Sequence, residues 1–211
     1  MTTKTLRMDV DEDWASLERL YRTFPSTREQ RALWRTTCEE IDARLRRRGH
    51  MGLPALMPGL VHARLATALL ASGYRAKTEL ARRSFLCLGC HAGLEVRILR
   101  DFGAGRVHGI ETHPDVVRVS RMVGLVRSDE VTVEDFWRYL DFSTEIVDAV
   151  LVLMPYRISV GTLWQAVQSK LVVGGHLVIV AQSSDVLDVP AGISHGIAME
   201  GTMRWYRMIK A

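Results

Sequence analysis

The sequence predicts an α/β chain: a mostly parallel sheet of βαβ units that ends in an antiparallel hairpin and is preceded by a helical cap. Three observations predict it. An apolar run at 85–88 meets a turn bracketed by Gly89 and Gly93, and about twenty residues later a second run, 107–110, ends on one acid, Glu111. Together the two runs, the glycine turn and the acid have the layout of a nucleoside-binding βαβ unit. Last, 193–199 and 202–209 flank Glu200-Gly201, the turn chemistry of a hairpin.

The first eighty or so residues read as helices. Within 14–24, Leu17, Leu20, Tyr21 and Phe24 recur at three- and four-residue spacings and make one apolar face. Ser26 with Glu29 forms a capping box, opening a helix that runs through Leu33, Trp34, Cys38, Ile41 and Leu45 to Arg48, with Gly49 as its stop. Residues 51–59, with Met51, Pro54, Met57 and Pro58, suit an adaptable pocket wall or a buried connector. A third helix is expected over 60–83, weakest at Gly73. The chain thus divides into a helical cap, 1–83, and a sheet domain, 84–211. Helices so placed form a lid over the carboxyl ends of the strands, where small substrates bind, or else pack on the sheet flank or make a dimer face. After 171–180 only a reduced connection has room before the hairpin.

Gly89 and Gly93 stand where a strand hands over to a helix, and residues without a Cβ let the backbone turn tightly and a ligand approach closely. Backbone N–H groups are then expected to face the ligand. Glu111, at the carboxyl end of the neighbouring strand, is expected to accept hydrogen bonds from both hydroxyls of a ribose. A dinucleotide fingerprint also needs glycine at the positions of His91 and Leu94, which disfavours NAD.

The stretch resembles motif I of the class I S-adenosylmethionine-dependent methyltransferases, a strand followed by Gly-x-Gly-x-Gly, here Gly89-Cys90-His91-Ala92-Gly93. The resemblance covers roughly 80–211. Ile110-Glu111-Thr112-His113-Pro114 looks like the acidic motif after the second strand, and Val131-Thr132-Val133-Glu134-Asp135-Phe136 like the third strand with its adenine-contacting turn. The run at 148–153 resembles the fourth strand and that at 171–180 the fifth, while the hairpin is the ending this fold prescribes. The resemblance implies a Rossmann-like sheet, S-adenosylmethionine as cofactor, and a binding set of Gly89, Cys90, His91, Gly93, Glu111, Thr112, Asp135 and Phe136. In that set Asp135 accepts from the adenine amino group.

Two positions depart from the pattern. Cys87 replaces the acid that usually ends the first strand, and His91 replaces the middle glycine, which puts its ring beside the sulfonium or out in solvent. Leu153-Met154-Pro155-Tyr156 resembles the [Asp or Asn]-Pro-Pro-Tyr motif of amine-methylating members, but only Pro155 and Tyr156 match. Tyr156 and His91 are the candidate catalytic side chains, with His113 and His195 as further bases; the plainer alternatives are a turn with a half-buried phenol and structural histidines. Cys87-Leu88-Gly89-Cys90-His91 also spells C-x-x-C-H, the attachment signature of c-type haem. Its first cysteine ends an apolar strand, so chance overlap is the preferred reading.

Composition fits an enzyme-sized domain: 211 residues, 47% hydrophobic, with room for a substantial core. Three cysteines do not make a disulfide framework and point to a reducing compartment. Neither a leader nor a spanning segment is read, so a soluble, cytoplasmic protein is expected, with no metal site. Charge is uneven: residues 1–83 hold 16 Lys plus Arg against 10 Asp plus Glu, and residues 84–211 hold 12 against 14. Arg44, Arg46, Arg47 and Arg48 are the argument for a nucleic-acid substrate; a charged run at a helix end also suits the helix dipole and a solvated face. The expected function is methyl transfer to a small molecule. The alternatives are nucleic-acid methylation and a non-catalytic scaffold that serves as a partner or homo-oligomer subunit.

Overall fold

The computed structural model describes residues 22–49, 57–153, 159–182, 187–189, 193–198 and 203–211. Elements are numbered over these residues. Two helices, α1 (Arg28–Arg46) and α2 (Pro58–Ala71), precede a seven-stranded sheet in the order β3-β2-β1-β4-β5-β7-β6. Its strands are β1 (Ser84–Leu88), β2 (Arg106–Glu111), β3 (Val131–Val133), β4 (Val147–Val152), β5 (Leu171–Gln182), β6 (Ser194–Ala198) and β7 (Met203–Ile209). Between them run α3 (Leu94–Asp101), α4 (Pro114–Met122), α5 (Phe136–Phe142) and α6 (Val160–Val167). β1 to β5 are mutually parallel, and β7 is antiparallel to both β5 and β6, so the expected parallel sheet with its C-terminal hairpin is present.

The apolar runs are near-continuous because both sheet faces are covered, and alternate residues serve opposite cores. Phe85, Cys87, Ala149, Leu151, Val178 and Val180 pack with residues of α1 to α4. Leu86, Leu88, Val150, Val152, Leu177 and Ile179 pack with Leu140 of α5 and with Val160, Leu163 and Val167 of α6. A one-residue slip of any strand would exchange these sets.

The helical region shares the first of these cores. Trp34, Cys38, Ile41 and Leu45 of α1 and almost every residue of α2 are buried in it. The Trp34 Nε1 donates to Asp101 Oδ2 of α3 at 2.9 Å, tying the two regions through a polar contact as well. α1 and α2 therefore pack on the sheet flank, the second of the placements open to them, and Arg64 of α2 reaches the carboxyl end of β4 at Leu153 O.

Two boundaries differ from expectation. The capping box of α1 is Thr27 with Gln30, one residue later than Ser26 with Glu29: Gln30 N donates to Thr27 Oγ1 at 3.1 Å and Thr27 N to Gln30 Oε1 at 2.9 Å. Both registers fit the Ser/Thr-x-x-Glu/Gln pattern, and Arg31 Nη1 draws Ser26 off by bonding its carbonyl at 2.5 Å. The helix expected over 60–83 ends at Ala71 because Gly73 adopts φ +94° and Tyr74 N returns to Leu69 O at 3.0 Å; a separate 3-10 turn follows at Lys77–Leu80. The helix predicted over 14–24 lies mostly outside the described residues.

Candidate functional site

In this strand order the chain reverses its direction of build at β1 and β4. From β1 it passes to α3 on one face, and from β4 to α6 on the other, the arrangement in which open sheets of this kind form a crevice at the carboxyl ends of these strands. The turn 89–93 stands at that point. Gly89, His91 and Gly93 have φ of +67°, +51° and +79°, so three positions in five residues lie in the left-handed region. A side chain there is costly without a compensating role, and His91 is the one described non-glycine residue that adopts it.

Glu111 ends β2 beside this turn and is 5% exposed. Its Oε2 accepts from His91 N at 2.6 Å; its Oε1 accepts from Thr112 N at 2.8 Å, His113 N at 3.0 Å and His113 Nδ1 at 2.6 Å. Burial pushes this carboxyl up, but the His113 ring and the backbone donors outweigh it and hold the group below the usual carboxylate range. Gly89, Cys90 and Gly93 spend their own N–H groups inside the protein, the first two on Ile110 O at 2.9 and 3.1 Å and the third on Cys90 O at 2.7 Å. The expected array of turn N–H groups facing a ligand is accordingly reduced: the turn uses them to lock itself to the end of β2.

What the turn does present is space and unmet polarity. A Cβ added at Gly89 would meet nothing within 4 Å, whereas one at Gly93 would strike Val126 Cγ1 at 2.6 Å. Both ring nitrogens of His91 are buried with no hydrogen-bond partner among the described residues. Burial lowers its pKa, against the pull of the Glu111 carboxylate, and so favours the uncharged imidazole. The turn thus carries an imidazole whose buried polar atoms are unmet among the described residues.

The other expected site residues fall into three groups. Thr112 hydrogen-bonds to Glu111 through N and, at 3.2 Å, through Oγ1. Asp135 is the N-cap of α5, its Oδ1 accepting from Arg138 N at 3.1 Å, and Phe136 packs its ring 4.7 Å from that of Trp137. His195 is exposed on β6 at the far edge of the sheet, away from the turn. Tyr156 lies outside the described residues, as do Met154 and Pro155. Cys87 and Cys90 are each 1% exposed, and burial raises both thiols well above the usual range. Buried thiols are closed to the vinyl groups of a haem, so the C-x-x-C-H spelling is chance.

Two buried charged residues stand outside the expected set. Arg64, in the otherwise apolar α2, is 4% exposed and its Nη1 donates to Leu153 O at 3.1 Å, pinning the end of β4. Glu95, at the start of α3, is 5% exposed, and burial raises its pKa to about 8. An arginine in a helix of mostly apolar and small residues, and an acid two residues after Gly93, were the available signals. A carboxyl neutral in the folded protein but ionised when unfolded costs stability as pH rises from its unfolded value through about 8. Glu95→Gln is therefore expected to gain stability over wild type progressively between about pH 5 and pH 8, read by urea melts at pH 5, 7 and 9. A constant difference at all three would refute the assignment.

No protein family and no curated protein matches the chain by sequence. Solved structures do match in fold. The fibrillarin/Nop5p complex superposes with TM-score 0.52 at 16% identity, covering 72% of this chain and 83% of that one. The rRNA methyltransferase AviRa of Streptomyces viridochromogenes gives 0.51 at 12% identity, covering 77% and 88%. A hypothetical protein of a Thermus species gives 0.50 at 16%, covering 74% and 86%. With the strand order and the antiparallel ending above, the chain has the class I, Rossmann-like methyltransferase fold.

Proposed function

We propose that the protein is an S-adenosylmethionine-dependent methyltransferase whose adenosyl site is the turn 89–93 together with Glu111. The observation that carries the reading is the convergence of Glu111 Oε2 and His91 N, 2.6 Å apart, at the crevice beside β1. The residues present fit the cofactor: a carboxylate for the ribose, open space over Gly89, and an imidazole lacking partners. S-adenosylmethionine supplies a methyl group on a sulfonium, a good leaving group whose departure needs no acid. The chain's own part is to hold the adenosyl group, position an acceptor and, for a hydroxyl acceptor, take up its proton. His91, in the turn with both ring nitrogens buried and unpartnered among the described residues, is the candidate for that last role once a bound acceptor uncovers its ring.

α1 and α2 pack on the sheet flank, and that placement by itself does not favour a small-molecule acceptor. Calorimetric titration with S-adenosylhomocysteine tests the cofactor assignment directly. Saturable heat is expected, together with a melting temperature raised by about 5–10 °C at a hundredfold excess over Kd. Neither heat nor shift would leave only a scaffold that kept this architecture.

A further inference from the structure

We propose that the arginines where α1 meets α4 form a phosphate-reading rim and that the acceptor is carried on a nucleic-acid strand. As an assignment of acceptor, this rests on the methyltransferase reading. As a binding surface it stands alone. α4 starts at Pro114, three residues after Glu111, so its first turn lies at the carboxyl edge of the sheet. Arg48 Nη1 sits 3.7 Å from Asp115 Oδ1, which places the C-terminal end of α1 at that same edge. The basic run singled out in the sequence is thus brought beside the candidate adenosyl crevice rather than to a remote corner.

The side chains are arranged to serve a polyanion. Arg48, two residues past the end of α1, turns toward α4 through Asp115; by helical spacing Arg44 and Arg47 fall near its side, whereas Arg46, paired with Asp42, falls on the other flank. Arg118 continues the strip across α4, and Arg121 extends it to β3, where its guanidinium bonds the carbonyls of Ser128 and Val131. Against these five arginines stand Glu40, paired with Arg44, and Asp115, shared by Arg48 and Arg118. The strip therefore keeps an excess of positive charge. Among the described residues Arg47 has no ion pair and Arg121 is met by the carbonyls of Ser128 and Val131.

The pairs that do exist are exposed: Arg44 and Glu40 are 39% and 48% accessible, Arg118 and Asp115 58% and 42%. Such contacts are worth a few tenths of a kcal/mol and exchange readily for a phosphate. The strip runs over two helices on an open surface and encloses nothing. A single small phosphate would be met by one or two of its members, whereas a chain of phosphates can engage about three at once, releasing counterions at each contact. Ribose and deoxyribose strands share that chemistry.

The test is fluorescence anisotropy of a labelled single-stranded 20-nucleotide RNA, and its DNA counterpart, with the full-length protein at 50 and 200 mM salt. With about three phosphates neutralised, affinity is expected to fall about 20-fold between the two salts. The triple variant Arg44→Gln, Arg47→Gln, Arg118→Gln is expected to bind at least about tenfold more weakly at 50 mM with a flatter salt slope. Arg46→Gln, on the other flank, is expected to bind as wild type. S-adenosylhomocysteine affinity should be the same in all three proteins, which separates a failure here from a failure of the cofactor assignment. Binding of either strand with this pattern supports the rim, and the stronger of the two identifies the acceptor's source. The proposal is overturned by absent or salt-independent binding, by a triple variant equal to wild type, by competition from millimolar inorganic phosphate alone, or by capture on phosphatidylserine vesicles without binding to either strand.

Discussion

Glu111→Ala is expected to abolish S-adenosylhomocysteine binding, a loss of at least about a hundredfold, and to lower the melting temperature at the same time. The carboxylate receives His91 N, Thr112 N, His113 N and the His113 ring, so alanine strands three backbone donors at the crevice as well as removing the proposed ribose acceptor. A hydrogen bond to a charged group is worth about 1.5–3 kcal/mol, and water will recover part of the loss at an edge that is only partly enclosed. A net cost of about 3 kcal/mol, or about 6–12 °C, is expected in a chain of this length. The pH dependence has a definite sign. Because its folded pKa is lowered, Glu111 contributes stability that is present above its unfolded value and disappears as pH falls through its folded one. Glu111→Gln should remove that acid-side loss, and wild-type-like ligand binding by the alanine variant would sink the assignment.

Gly93→Ala is the second large expected effect, and Gly89→Ala is its contrast. At Gly93 an added methyl meets Val126 Cγ1 at 2.6 Å and Val131 Cγ2 at 3.3 Å, and φ is +79°. Left-handed backbone costs an L-residue about 1–2 kcal/mol and overpacking about 1–3, so destabilisation of about 3 kcal/mol is expected. At Gly89 the φ of +67° imposes the same backbone cost, but no atom lies within 4 Å of the new methyl. Its stability loss should be about 1–2 kcal/mol, while its effect on S-adenosylhomocysteine binding should be the larger of the pair, since the methyl would stand in the open space beside the turn. Chemical denaturation with parallel calorimetry distinguishes the two. Equal stability losses would show that packing under Gly93 yields more easily than its contacts imply.

Most of the sheet could be read from the chain because its information is local. Strands buried on both sides are apolar runs with abrupt ends, and the glycine turn and the acid at 111 have a fixed spacing. What was not legible depended on pairing at a distance. Thr27 rather than Ser26 caps α1 through the pull of Arg31 on Ser26, a choice between two adjacent registers with the same chemistry. Whether α1 and α2 roofed the crevice or flanked the sheet was decided by contacts such as Trp34 with Asp101, 67 residues apart, which no periodicity encodes. At the site, the sequence showed that Glu111 and the turn belonged together. It did not show that Glu111 already bonds the backbone of His91, because that requires knowing where β2 ends relative to β1: Leu88 is level with Ile110, one residue short of the acid. Glu95 and Arg64 escaped for a related reason, since burial of a charged side chain is a property of its surroundings rather than of its spacing.

A carboxylate offers about four lone-pair positions. On Glu111, the oxygen facing Thr112 and His113 is fully subscribed, and only the one facing His91 has capacity left. A diol seeking both oxygens must therefore evict the ring of His113, which is 70% exposed and can swing outward without disturbing the core. On the proposed assignment, occupancy of this crevice is a swap of one donor for another, the His113 ring for a sugar hydroxyl. The affinity such a site displays is the difference between two grips rather than the strength of one.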